Sequence, residues 1–122
     1  KNVLSDEQIL NYKATIKIYL ETGKAYLDPD ISLDKLSKDL SIPKYLLSYL
    51  FNEHIGQGFY ALIGQYRIEY SIMQIDIEKD LYTVDALSTN CGFSSKTSFN
   101  RYFKKHTGMT PNEYLLKKRN HS

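Results

Sequence analysis

The sequence predicts an all-α chain: two helix-turn-helix lobes joined by a long connector helix, about seven helices in all. Three observations carry that expectation. Apolar residues recur at helical spacing along most of the chain, and prolines and glycines fall between the periodic runs. The chain also repeats itself. Phe51-x-x-His54-x-Gly56 returns 52 residues later as Phe103-x-x-His106-x-Gly108, while Leu36 and Leu40 match Leu87 and Cys91 at an offset of 51. The second turn is therefore one residue longer than the first.

The elements follow in order. Ser5-Asp6-Glu7-Gln8 is a capping-box pattern, and Ile9, Tyr12, Ile16, Tyr19 and Leu20 continue at helical spacing until Gly23. A helix is expected over about 6–22, then a loop from Ala25 to Ile31 around Asp28-Pro29-Asp30. Ser32 caps a short helix carrying Leu33, Leu36 and Leu40. Ser41-Ile42 makes a turn, and Pro43 suits the first position of the next helix, which carries Leu46, Leu47, Leu50 and Phe51 to near Gly56. A long pattern without proline, Phe59 to about Ile77, reads as the connector, and Glu78-Lys79-Asp80 as a charged linker. Thr83 caps a helix with Val84, Leu87 and Cys91. Gly92 makes the turn, and Ser94 or Ser95 caps a basic helix to about His106. Thr110-Pro111-Asn112-Glu113 is a second capping box, opening a last helix over about 111–118. The domains expected are 1–31, a helix and loop; 32–56, the first lobe; 57–78, the connector; and 83–118, the second lobe with its terminal helix.

Composition narrows the function classes. At 122 residues, with 42% hydrophobic residues including 11 tyrosines and 5 phenylalanines, the chain can bury two small cores and is not disordered. Its one cysteine, Cys91, excludes an internal disulfide and reads as a buried thiol in a reducing compartment. No apolar run approaches membrane-helix length, and no signal-peptide pattern opens the chain. It starts at Lys1 instead of methionine, which reads as a piece of a longer protein.

The net charge of +2 hides an asymmetry. Residues 1–95 hold nine Lys and Arg against thirteen Asp and Glu, whereas residues 96–122 hold seven against the single Glu113. A basic end on a near-neutral chain points to a localised polyanion contact. A solvated tail accounts for Lys117, Lys118 and Arg119, but not for Lys96, Arg101, Lys104 and Lys105, which share a helix with core aromatics. There is no glycine-rich phosphate loop, no H-E-x-x-H, no paired-cysteine metal site and no nucleophile elbow. The chain therefore reads as no enzyme, with no cofactor and no metal.

Gly92-Phe93, Ser98-Phe99, Arg101, Phe103-Lys104-Lys105, Gly108 and Thr110-Pro111-x-x-Tyr114 together resemble the C-terminal DNA-binding domain of the AraC/XylS family of bacterial transcription regulators. The resemblance runs from about Leu33 to Leu115. In the connector, Arg67-Ile68-x-x-Ser71 stands where that family usually has Arg-Leu-x-x-Ala. The resemblance implies two lobes reading successive major-groove segments of double-stranded DNA. Its details look most like regulators of the Bacteroidetes type, in which such a domain ends a longer protein. That implies an upstream sensor domain in the same chain and a cytoplasmic position, with membrane attachment of the full-length protein left open.

The family's base-reading positions carry over to Lys96, Thr97, Ser98, Asn100 and Arg101. Their chemistry suits base edges: arginine forks to guanine, asparagine to adenine, and the threonine methyl meets thymine. Lys104 and Lys105 suit phosphates. In the first lobe the matching positions are Tyr45, Ser48 and Tyr49, with Lys44 a nearby phosphate candidate. Family members commonly place arginine or glutamine there, so these three either touch bases or simply pack. Arg67, Gly92, Phe93, Phe99, Phe103, Gly108 and Pro111 are the structural positions. For Arg67 a carboxylate partner is favoured over phosphate. His54 and His106 read as helix-end or interlobe residues. The competing reading is an interaction module whose tyrosine-rich first lobe binds RNA polymerase or a second copy of the chain.

Overall fold

The computed structural model describes residues 4–120. Residues 1–3, which belong to the expected segment 1–31, lie outside the described residues. The fold is all-α, with helices α1 (Asp6–Thr22), α2 (Leu33–Leu40), α3 (Lys44–Leu50), α4 (Phe59–Ile77), α5 (Val84–Asn90), α6 (Lys96–Thr107) and α7 (Pro111–Asn120). The chain divides into two compact units, Lys1–Leu62 and Ile63–Ser122, with α4 crossing the division.

In the first unit both halves of the capping box form: the Gln8 N–H donates to Ser5 Oγ at 3.1 Å, and the Ser5 N–H to Gln8 Oε1 at 2.9 Å. Ile16 and Leu20 are buried, and the Tyr19 hydroxyl donates to the Asp39 carboxylate of α2. Thus α1 packs on the first helix-turn-helix. Desolvation and the adjacent Asp39 push the Tyr19 phenol up to about 12. Gly23 ends α1 in a right-handed conformation (φ −86°), and it is Lys24 that turns left-handed (φ 50°). The expected loop from Ala25 to Ile31 instead opens with a 3-10 turn, Ala25–Leu27, because Tyr26 is drawn inside.

Ser32 caps α2 through the Lys35 N–H at 3.0 Å. The turn after α2 uses Ser41 at φ 56° and buries Ile42. Pro43 is the residue before α3 and not its first helical position; its ψ of 142° is still extended. After Leu50 the helix widens into a π turn, Phe51–Ile55, closed by the Gly56 N–H donating to Phe51 O at 3.0 Å. Phe51 and Phe59 meet edge to face at 5.7 Å in the core.

The second unit repeats the plan. Thr83 caps α5 through the Ala86 N–H at 3.1 Å, and Ser95, not Ser94, caps α6 through the Ser98 N–H at 3.1 Å. Between them Gly92 takes φ 100°, the left-handed region that a side chain makes costly. The second capping box forms as predicted, with Thr110 and Glu113 exchanging bonds of 2.9 and 3.2 Å, and Pro111 is the first residue of α7. The Thr110 N–H and hydroxyl hold the Glu113 carboxyl below the ordinary range.

The end of the chain departs from the expected solvated tail. Helix α7 continues to Asn120. Arg119 donates to the carbonyls of Lys79 and Tyr82 at 3.0 Å each and lies 3.6 Å from Asp80. Lys118 pairs with Asp76 at 3.2 Å. These two cations fasten the 78–82 linker and the end of α4 to α7. Cys91 is buried as expected, and desolvation pushes its thiol up to about 12. No described helix is long and apolar enough to cross a membrane.

Candidate nucleic-acid interface

Helix α6 has one face locked and one face open. Phe99 and Phe103, four residues apart, are fully buried. Their rings join a ladder: Phe93 lies 5.8 Å from Phe99, Phe99 5.6 Å from Phe103, and Phe103 5.3 Å from Tyr114 of α7. Burying each ring contributes about 1.5–3 kcal/mol, so rotation of α6 about its axis is strongly opposed. Tyr102, half-buried, packs 5.5 Å from Phe93 and against Gly64 of α4, where a Cβ would stand 2.5 Å from the tyrosine ring. The missing side chain at Gly64 is what lets Tyr102 lie there.

Of the structural residues singled out in the sequence, Phe99 and Phe103 are placed above, and Phe93, Arg67 and Gly108 lie as follows. Phe93 is buried and receives the Arg67 guanidinium over its ring at 5.1 Å. Arg67 thus caps the aromatic ladder by stacking. Gly108 ends α6 at φ 81°.

With that face fixed, Thr97, Asn100, Arg101 and Lys104 form an exposed stripe at spacings of three and four residues. Lys96 and Lys105 flank it, also exposed, and Ser98 is half-buried at its edge. The Arg101 guanidinium passes 5.3 Å from the Tyr102 ring, which supports its stem and leaves its donors outward. No side-chain hydrogen bond or ion pair ties Thr97, Asn100, Lys104 or Lys105 among the described residues. Lys96 differs: its ammonium lies 2.9 Å from Asp85 of α5.

In the first unit the equivalent stripe is Tyr45, Ser48 and Tyr49 on α3 and Asn52 in the π turn. Tyr45 is 66% exposed, so it does not pack, while Ser48 and Tyr49 are half-buried. The Tyr49 hydroxyl is 3.1 Å from His54 Nε2, with the two rings edge to face at 5.1 Å. This contact spans five residues and exists because the π turn shifts His54 back beneath Tyr49. The histidine is therefore a partner within its own helix, whereas His106 is exposed in the last turn of α6. Lys44 is bound to Asp34 of α2 at 2.9 Å. Asn52 and Glu53 stand where the second unit has Lys104 and Lys105.

A family model described as a helix-turn-helix domain matches residues 36–117. The chain belongs to this family, the AraC-type helix-turn-helix domains. The domain is similar to an uncharacterized HTH-type transcriptional regulator of Staphylococcus aureus strain COL, 32% identical over 112 residues, covering 90% of this chain and 14% of that protein. It is also similar to the uncharacterized transcriptional regulatory protein YesN of Bacillus subtilis, 32% identical over 93 residues, covering 74% of this chain and 25% of that protein. The chain thus spans a seventh to a quarter of the length of the curated relatives it matches. Among solved structures it resembles the C-terminal domain of the two-component response regulator yesN of Fusobacterium nucleatum, with a TM-score of 0.74 and 26% identity over 86% of this chain and 98% of that one.

Sequence reasoning missed four participants. Asp34 and Asp85 were visible only as first-turn acids, although their offset of 51 was there to find. Gly64 gave no sign of its role, because a glycine in a helical run does not name its neighbour. Arg119 was grouped with the tail because its acceptors are backbone carbonyls 37 and 40 residues away.

Proposed function

We propose that this AraC-type domain binds double-stranded DNA sequence-specifically, as the output end of a longer bacterial transcription regulator. The exposed stripe on α6 carries the reading: donors suited to base edges sit at helical spacing, opposite two fully buried phenylalanines that fix which way they point. In this reading Thr97, Ser98, Asn100 and Arg101 meet bases in the major groove, with Arg101 forking to a guanine. Lys104 and Lys105 meet phosphate. Tyr45, Ser48 and Tyr49 face a second, neighbouring groove segment, and Lys44 and Lys96 engage only by leaving their carboxylates. The similarity to response-regulator C-terminal domains supports a place downstream of a receiver or sensor.

Selection of sites from a random duplex pool, followed by binding titrations at two salt concentrations, tests this. A defined motif should emerge. With about four phosphates neutralised, affinity should fall roughly a hundredfold between about 50 and 200 mM salt. A footprint covering two groove segments about one helical turn apart would include the first unit in binding. Failure to select any motif, or binding indifferent to salt, contradicts the reading. It would favour the alternative, a protein-docking role for which Tyr45 and Tyr60, both more than half exposed in the first unit, are the motivating observation.

A further inference from the structure

The two units share an arrangement that DNA reading does not require. In each helix-turn-helix, α2–α3 and α5–α6, the second residue of the first helix is an aspartate and the first residue of the second helix is a lysine, and the two form an ion pair. Asp34 meets Lys44 at 2.9 Å, and Asp85 meets Lys96 at 2.9 Å. The aspartates stand 51 residues apart and the lysines 52, so the pair forms in both units although Ser94 lengthens the second turn. All four side chains are well exposed: 59% and 76% for Lys44 and Asp34, 57% and 76% for Lys96 and Asp85. Pairs in such positions are screened and add little to stability. Their consequence is electrostatic: each cancels a positive charge at the end of a recognition helix that a duplex would approach.

Resting on the DNA-binding reading above, we propose that Asp34 and Asp85 are specificity determinants, acting as paired clasps that keep Lys44 and Lys96 from phosphate. A phosphate arriving at either lysine must displace the carboxylate or sit beside it, and both outcomes oppose binding. That opposition is the same on every sequence, because phosphates are the same on every sequence. The base-edge donors Thr97, Asn100 and Arg101 lie outside the clasps and keep their full discrimination. The aspartates therefore lower affinity for arbitrary DNA and widen the ratio between a chosen site and the rest, the quantity that matters where competing sites are abundant.

The test is fluorescence-anisotropy titration of an unselected duplex and a duplex selected from a random pool, with circular-dichroism melts confirming that each variant folds. The proteins are the wild-type chain, Asp34→Asn, Asp85→Asn, Lys96→Gln and the Asp85→Asn/Lys96→Gln double variant. Each aspartate variant should tighten binding to the unselected duplex by roughly three- to tenfold, steepen its log–log salt slope by about one, and reduce the selected-to-unselected ratio. In the Lys96→Gln background, Asp85→Asn should no longer tighten binding to the unselected duplex. A gain from Asp85→Asn that persists in the Lys96→Gln background, relative to Lys96→Gln alone, is a general charge effect and overturns the clasp. So does an Asp85→Asn protein indistinguishable from wild type. Wild-type chain that binds neither duplex overturns the DNA reading itself, and the clasp with it.

Discussion

The two units are one scaffold with two surfaces. Both bury a phenylalanine at the repeated position, Phe51 and Phe103, and both end the recognition segment at a left-handed glycine, Gly56 at φ 90° and Gly108 at φ 81°. Both carry the same aspartate–lysine clasp. Beyond that shared lysine their outward faces diverge at five matched positions: Tyr45 against Thr97, Ser48 against Asn100, Tyr49 against Arg101, Asn52 against Lys104 and Glu53 against Lys105. The interior is set by shape, which a repeat must keep to fold. The outward faces differ in charge: among these five positions only the second helix carries cations, Arg101, Lys104 and Lys105.

The largest effects should come from breaking the shared interior. Phe51→Ala and Phe103→Ala each remove a fully buried ring, and each should cost its own unit about 3–5 kcal/mol in denaturant unfolding. Costs that agree within about 1 kcal/mol sharpen the claim of a duplicated scaffold. A loss at one site with near-neutrality at the other breaks it.

The turns offer a smaller test, with opposite signs. Ser41 and Gly92 occupy matched positions, and both are left-handed, at φ 56° and φ 100°. Gly92→Ala should destabilise the second unit by roughly 1–2 kcal/mol, because a Cβ is strained there. Ser41→Gly relieves the same strain but adds unfolded-chain freedom, so a gain of under about 1 kcal/mol is expected. Thermal melts read both. A neutral Gly92→Ala would show that the second turn relaxes and that the two turns are not equivalent.

What could be read from the sequence divides along a similar line. Contacts within one turn of helix were legible: the Ser5–Gln8 and Thr110–Glu113 boxes, the Ser32 and Thr83 caps and the span of α4 all rest on short spacings with a local physical cause. The stripe on α6 was legible for the same reason, since Phe99 and Phe103 define the face opposite it. Features that depend on a partner far along the chain were not. Arg119 fastens carbonyls in the 78–82 linker, Gly64 yields space to Tyr102, and Arg67 stacks on Phe93; none of these pairings leaves a periodic trace. The π turn at Phe51–Ile55 was hidden differently. One extra residue in a helical turn changes the period only once, and its sign, the five-residue contact from Tyr49 to His54, is visible only when folded.

The claim that the α6 stripe reads base edges is tested most directly by titrating wild type and Arg101→Ala against the selected site and its single-base variants. The account predicts a loss of about 1–3 kcal/mol on the selected site, with discrimination flattened at one base pair and intact at the others. Unchanged affinity and unchanged preference in Arg101→Ala would contradict it.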